Sequence, residues 1–284
     1  MTLKHALATL PQYILPHHFL SVLMSKFTHC EVSWWKNWMI KQIIARYGVN
    51  MQEAACEDIT QFKSFNAFFT RELKPGLRLI DSASNSIACP ADGAISQIGR
   101  IENGQIFQAK GHHFSAIELL GGDENRAAPF LNGQFTTIYL SPKDYHRLHM
   151  PFTGTLTEMV HVPGRLFSVN TITAETVPRL FARNERVVCL YDTEIGPMAL
   201  VLVGAIFVSS IETTWHGIVT PPTQSEIRNW RYEDQALTLQ KGDEMGRFNM
   251  GSTIIVLFGE NAVQWNDDLI SGQTVQLGQS LAHF

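Results

Sequence analysis

The chain has 284 residues, 45% of them hydrophobic and 17% charged, with a formal net charge of −4. That is apolar material enough for one large domain or a domain with an extension, and it excludes a disordered chain. The acidic balance excludes a basic field for nucleic acid, and four cysteines with no Cys-x-x-Cys pair read as free thiols in a reducing compartment.

Residues 1 to about 60 read as helices. The opening apolar stretch is interrupted by Pro11, Pro16, His17 and His18, too short and broken for a secretory signal or a spanning helix. No uninterrupted apolar run reaches the about 18 residues that a membrane span needs. Helix-compatible spacing without internal Pro or Gly predicts helices over 17–28 and 32–47. In the second of these, Trp34, Trp35, Trp38, Met39, Ile43 and Ile44 cluster with Lys36, Lys41 and Arg46. A Trp-rich apolar face beside Lys and Arg suits a helix lying in a lipid interface; it also suits packing on the chain's own domain.

A third helix is predicted over 61–71, after which Pro75-Gly76 breaks the chain. The texture then changes to short β-type runs at 94–98, 135–140, 186–190, 198–208, 217–219 and 253–258, separated by Gly, Pro and Asn. This pattern predicts an α+β chain: N-terminal amphipathic helices (1–60), then a mainly antiparallel β-sandwich or barrel-like body (61–284).

Near the C-terminus, Lys241-Gly-Asp-Glu-Met-Gly-Arg-Phe-Asn-Met-Gly-Ser-Thr-Ile-Ile-Val-Leu-Phe258 places a Gly251-Ser252 bond at the start of a β-branched run. A hydroxyl needs a base before it is a nucleophile, and Gly251 has no Cβ to obstruct attack on its carbonyl. Asp92, His149 and Ser252 fit the chemistry of a serine hydrolase triad, which tolerates any chain order; Asp92 before Gly93 equally fits a turn, and His149 a strand end. His146-x-x-His149 with His112-His113 has metal-ligand character, but no acidic or thiolate partner stands at useful spacing, so no metal is expected.

Four other segments complete the pattern: Phe68-Phe-Thr-Arg-Glu-Leu-Lys-Pro-Gly76; Cys89-Pro-Ala-Asp-Gly93; Tyr139-Leu-Ser-Pro-Lys-Asp-Tyr-His-Arg-Leu-His-Met-Pro-Phe-Thr-Gly154 with Leu166-Phe-Ser-Val-Asn170; and Leu180-Phe-Ala-Arg-Asn-Glu-Arg186. Together with the Gly-Ser segment, and in this order, they resemble the bacterial phosphatidylserine decarboxylases over most of 60–260. One departure is Met250, where the family usually has Leu before the Gly-Ser pair; the two are close in volume.

The resemblance implies a proenzyme cut between Gly251 and Ser252 into a β chain (1–251) and an α chain (252–284). Asp92, His149 and Ser252 would act as the self-cleavage relay. Ser252 would become a covalent pyruvoyl cofactor, with neither pyridoxal phosphate nor metal, that forms a Schiff base with the substrate amine. His146 would serve decarboxylation, returning a proton to the α-carbon or binding the carboxylate. Arg71, Lys74, Arg147 and Arg183 are cations available to a headgroup; Phe68, Phe69 and Phe167 suit an acyl-chain path or the core. The implied partners are phosphatidylserine in a membrane and the two halves of the cut chain, with further dimerisation open; the implied place is the cytoplasmic face of the inner membrane, peripherally bound. A soluble pyruvoyl amino acid decarboxylase, a Ser-His-Asp hydrolase and a non-catalytic β-sandwich module are the alternatives.

Overall fold

The computed structural model describes residues 3–206, 210–220, 226–250 and 253–284. Three helices open the chain: α1 (Leu3–Ile14), α2 (His17–Thr28) and α3 (Ser33–Tyr47). Pro16 lacks an N–H and restricts Leu15, so α1 ends before it. The α3 helix ends at Gly48, whose φ of 70° lets its N–H close on the Ile44 carbonyl at 2.9 Å. The predicted 61–71 helix shrinks to α4 (Phe65–Phe69). The Ser64 hydroxyl caps it by accepting from the Ala67 N–H, and the Thr70 hydroxyl donates to the Asn66 carbonyl at its other end.

The third helix serves two surroundings. Ile40 is buried with Val49, Phe65, Phe68 and Phe69, whereas Trp34 is 72% and Trp38 51% exposed. Lys36, expected beside the Trp face as an interfacial cation, is instead buried; its ammonium donates to the Thr60 carbonyl and to Asn37 Oδ1. The first two helices are tied to the body at their junction. Gln12 accepts from the Ser168 N–H at 2.8 Å, Arg165 donates to the Tyr13 carbonyl at 2.8 Å, and His17 Nδ1 accepts from the Leu166 N–H at 3.3 Å.

The β body pairs its strands antiparallel. A nine-stranded sheet runs in the order Arg228–Arg231, Gly154–Val162, Arg186–Thr193, Gly196–Val203, Thr253–Phe258, Gln134–Tyr139, Gly93–Arg100, Thr274–Val275, with Thr238–Leu239 also on Gly154–Val162. Its two ends do not pair with one another among the described residues, so the barrel-like alternative gives way to an open sheet. A four-stranded sheet (Gly217–Ile218, Ile211–Thr213, Glu244–Phe248, Arg147–His149) covers one face. The other face is covered by short helices and by the hairpin Gln105–Ala109/His112–Ser115.

The central strand, Thr253–Phe258, shows why both faces are covered. Ile254, Val256 and Phe258 enter one core with Leu148, Met245 and Phe248; Ile255 and Leu257 enter the other with Phe114, Phe130 and Phe181. A strand buried on both faces reads as an unbroken apolar run, which is the form the sequence has here. Each such side chain contributes about 1.5–3 kcal/mol of burial. The tail makes two further pairings with earlier residues: Thr274–Val275 on Gly93–Arg100, and Ser280–His283 on Ser86–Ala88.

Candidate active site

Gly251 and Ser252 lie outside the described residues, and the strand predicted over 198–208 extends past them too, at 207–208. The chain on either side of the Gly-Ser bond is well held. The Asn249 N–H donates to the Ser210 carbonyl at 2.9 Å, and the Asn249 side chain joins Asn66 (3.0 Å) to the Ser210 hydroxyl (2.5 Å). Thr253 is locked between Tyr139 and Val203. Met250, between these anchors, has φ of 145°, which L residues rarely adopt, so the backbone entering Gly251 is strained.

The two histidines sit at opposite ends of one strand pairing. In the register of Arg147–His149 against Glu244–Phe248, His149 faces Glu244, and the Phe248 N–H donates to the His146 carbonyl at 3.0 Å. His146 therefore stands at the Phe248 end. His149 is three residues further along, roughly 10 Å at strand rise.

His146 is fully buried against Phe69, the ring centroids 4.0 Å apart. Its Nδ1 must be protonated, because it donates to the Asp144 carbonyl at 2.8 Å. Its Nε2 then carries a free lone pair, buried with no hydrogen-bond partner among the described residues. Burial, reinforced by the nearby Arg71 charge, lowers its pKa to about 3, so the ring is neutral.

His149 is half-buried and satisfied on both nitrogens. Nδ1–H donates to the Gly242 carbonyl at 2.8 Å, leaving Nε2 to accept from the Tyr145 hydroxyl at 3.2 Å. Burial lowers its pKa as well. The Tyr145 phenol is pushed up to about 12, again by burial.

Asp92 is buried close by, since the His149 N–H donates to the Pro90 carbonyl at 2.9 Å. Its carboxylate, however, is not behind the imidazole. Arg78 donates to both of its oxygens (2.9, 3.1 and 2.6 Å), the Leu277 N–H donates to Oδ1 at 2.8 Å, and Arg78 also binds Glu53 at 2.7 Å. Asp92 raises the Arg78 pKa by hydrogen bonding and charge. Gly93 is required after Asp92, because a Cβ there would collide with the Tyr139 carbonyl oxygen. Asp92 and His149 thus line adjoining pockets that share Arg78 and Tyr145, without a hydrogen bond between them.

The histidine tautomers are set by main-chain carbonyls, a second-partner role that sequence reasoning gave to Asp92. Tyr145 and Asp144 were in view inside the quoted segment, but nothing in the sequence showed that they touch the histidines. Arg78 had no signal at all. His112 and His113 sit on the hairpin, His113 against Phe107, and no three metal-ligating side chains converge among the described residues. Phe68, Phe69 and Phe167 are all core residues.

Two family models and several curated relatives match this chain. A family model described as phosphatidylserine decarboxylase matches residues 65–283, and a second, described as PSD, matches residues 7–48. A phosphatidylserine decarboxylase proenzyme of Ectopseudomonas mendocina (strain ymp) is 59% identical over 284 residues, covering 99% of both chains. The proenzyme of that name from Pseudomonas putida (strain ATCC 700007 / F1) is 60% identical over 283 residues, covering 99% of this chain and 98% of its own. That of Pseudomonas fluorescens (strain SBW25) is 56% identical over 283 residues, with 99% of each covered. The relatives are named as proenzymes, and the match spans nearly the whole of this α+β chain. The chain belongs to the phosphatidylserine decarboxylase family.

Proposed function

We propose that this chain is a carboxy-lyase proenzyme. It cuts itself between Gly251 and Ser252, then converts phosphatidylserine to phosphatidylethanolamine and CO₂. The observation that carries the reading is His146: a buried, neutral imidazole whose Nε2 has no partner among the described residues, on the strand pairing that leads in sequence to the Gly-Ser bond.

In the cut, a histidine takes the Ser252 proton and the hydroxyl oxygen bonds to the Gly251 carbonyl carbon. The C–N bond breaks, leaving an ester. Loss of the Ser252 α-proton then expels the Gly251 carboxylate and leaves a dehydroalanine, which tautomerises and is hydrolysed by water to a pyruvoyl group and ammonia. The strain at Met250 favours this opening over an unstrained turn. Resemblance gives the base to His149 with Asp92 as its partner. The strand register favours a second reading in which His146 is the base, because it meets Phe248, the strand end from which the sequence continues to the Gly-Ser bond, and its Nε2 has no partner among the described residues.

The flanking residues fit a pyruvoyl group at 252: the chain on both sides is pinned, and His146, which meets Phe248 at the strand end before it, has a buried Nε2 with no partner among the described residues. Such a group supplies an electron-withdrawing carbonyl that takes the substrate amine and accepts the electron pair released with CO₂. Around it, His146 Nε2 is the atom available to hold and return a proton at the α-carbon, while Phe69 excludes water from that side. The two fragments stay together because Thr253–Phe258 is hydrogen-bonded on both edges by the larger piece.

Residues 1–60 form the docking region for the lipid surface and 61–284 the catalytic body, peripherally bound at the cytoplasmic face of the inner membrane. No helix among the described residues is long and apolar enough to cross a membrane. The support for docking is the apolar surface on α1–α3, where Ile14, Phe19 and Trp34 are 87%, 67% and 72% exposed, with Val22, Leu23, Phe27 and Trp38 beside them in sequence.

Intact mass under denaturing conditions tests the cut. The wild type should give two fragments, the smaller without a free α-amino group, and Ser252→Ala one inactive chain. Active, unbroken wild-type chain would refute the proposal. Trp34→Glu with Phe19→Glu should weaken co-sedimentation with anionic vesicles about 10-fold or more while leaving the cut intact.

A further inference from the structure

Of the four cations named above as available to a headgroup, three have their charge engaged. Lys74 pairs with Glu57 at 2.6 Å. Arg147 binds Glu244 (3.0 Å), Glu72 (3.1 Å) and the Thr70 carbonyl. Arg183 lies over the rings of Tyr13 and Phe167 at the surface of the body.

Arg71 differs. It is 5% exposed, and one nitrogen donates to the Lys143 carbonyl at 3.0 Å. Nε and Nη1 have no acceptor, and no carboxylate lies within ion-pair distance among the described residues. Its guanidinium stacks over Phe68 at 5.3 Å, which satisfies charge but not the two donors. Burial lowers its pKa. Leaving buried donors unpaired costs about 1–3 kcal/mol each, a cost that a bound anion would remove.

The residue borders a cavity of about 240 Å³ with Gly48, Asn50, Arg78, Asp92, Asp144 and Tyr145. The acids in that cavity are already occupied: Asp92 and Glu53 by Arg78, and Asp144 by the N–H and hydroxyl of Ser141. The buried charge left over is that of Arg71. The wall also includes the residues that directly follow α3, the helix bearing the exposed Trp34 and Trp38.

We infer that Arg71 binds the phosphodiester of the phospholipid headgroup. This rests on the decarboxylase reading above. The phosphodiester, rather than the carboxylate, is the group that suits it. A guanidinium on the departing carboxylate would stabilise the ground state more than the transition state, from which that charge is leaving, and would slow the reaction. The phosphodiester keeps its charge from substrate to product, so holding it lowers KM and leaves kcat nearly untouched.

The test uses full-length, self-cleaved enzyme on phosphatidylserine in detergent micelles. Arg71→Gln should still be cut, keep kcat within about threefold and raise KM by about 10- to 100-fold, with Arg71→Lys intermediate. Glycerophosphoethanolamine should compete with substrate in the wild type and lose about 10-fold in potency against Arg71→Gln, whereas ethanolamine should not discriminate. An unchanged KM, or a fall in kcat at constant KM, overturns the assignment. So does failure of glycerophosphoethanolamine to compete in the wild type, a result that needs no variant. Wild type that is uncut and inactive on phosphatidylserine sinks the decarboxylase reading itself and is distinguishable from all of these.

Discussion

The pairing of Arg147–His149 with Glu244–Phe248 has two unlike ends. At the His149 end most polar groups are closed: both ring nitrogens are bonded, Asp92 is held by Arg78 and a main-chain N–H, and Glu244 Oε1, without a hydrogen bond among the described residues, has Arg247 at 3.6 Å. The His146 end is more open. His146 Nε2 and, near it, Arg71 Nε and Nη1 are buried without hydrogen-bond partners among the described residues. A satisfied network holds a shape, whereas buried unpaired groups cost stability and persist where something else must arrive. Under the proposed function, the closed end is the frame and the open end the receiving site.

The largest expected effects come from exchanging the two ends. With roles as the resemblance assigns them, His149→Ala should accumulate uncut chain, and His146→Ala should be cut but lose about 10²- to 10⁴-fold in CO₂ release. The reverse pattern on a denaturing gel, with His146→Ala uncut, would make His146 the cleavage base and His149 part of the frame.

A second contrast concerns Arg78 and Arg71 and is read in the uncut Ser252→Ala background by chemical denaturation. Arg78→Met leaves Asp92 and Glu53 without their shared cation and should cost about 3 kcal/mol. Arg71→Met removes a buried cation that has no carboxylate and should be neutral or stabilising. Equal losses from both would abolish the distinction between frame and receiving site.

Much of this was legible beforehand, and the physical reasons differ by element. The run Thr253–Phe258 was plain because a central strand covered on both faces needs apolar residues at every position. The helix over 61–71 was overextended because its apolar residues belong to one short turn, closed by Ser64 and Thr70. Strand Gly154–Val162 was missed: Glu158 and His161 interrupt its apolar pattern, and each is satisfied only by distant residues, Arg126 and Glu185. In the site, residue types and order pointed to His146, His149 and Asp92. Which nitrogen meets which carbonyl, and that Asp92 faces Arg78, are contacts across long sequence distances with no local trace.

The smallest expected effect is in acid, and its sign follows from burial. Folded His146 has a pKa of about 3, below the about 6.5 of an unfolded histidine, so the unfolded chain binds the extra proton first. Its share of stability is complete above pH 6.5 and drains away as the pH falls toward 3. At pH 5 the loss is about 2 kcal/mol. His17, buried at the junction of helices and body with a pKa of about 4, drains in the same direction and window. His17→Gln keeps an acceptor for the Leu166 N–H yet cannot take the proton, so it should recover part of the stability lost between pH 7 and pH 5 in the uncut chain. His146, with His149 lowered in the same direction by burial, accounts for acid sensitivity that remains. If His17→Gln removed the acid sensitivity altogether, His146 would have found a partner that keeps it protonatable, and the unpaired nitrogen on which the proposed chemistry depends would be absent.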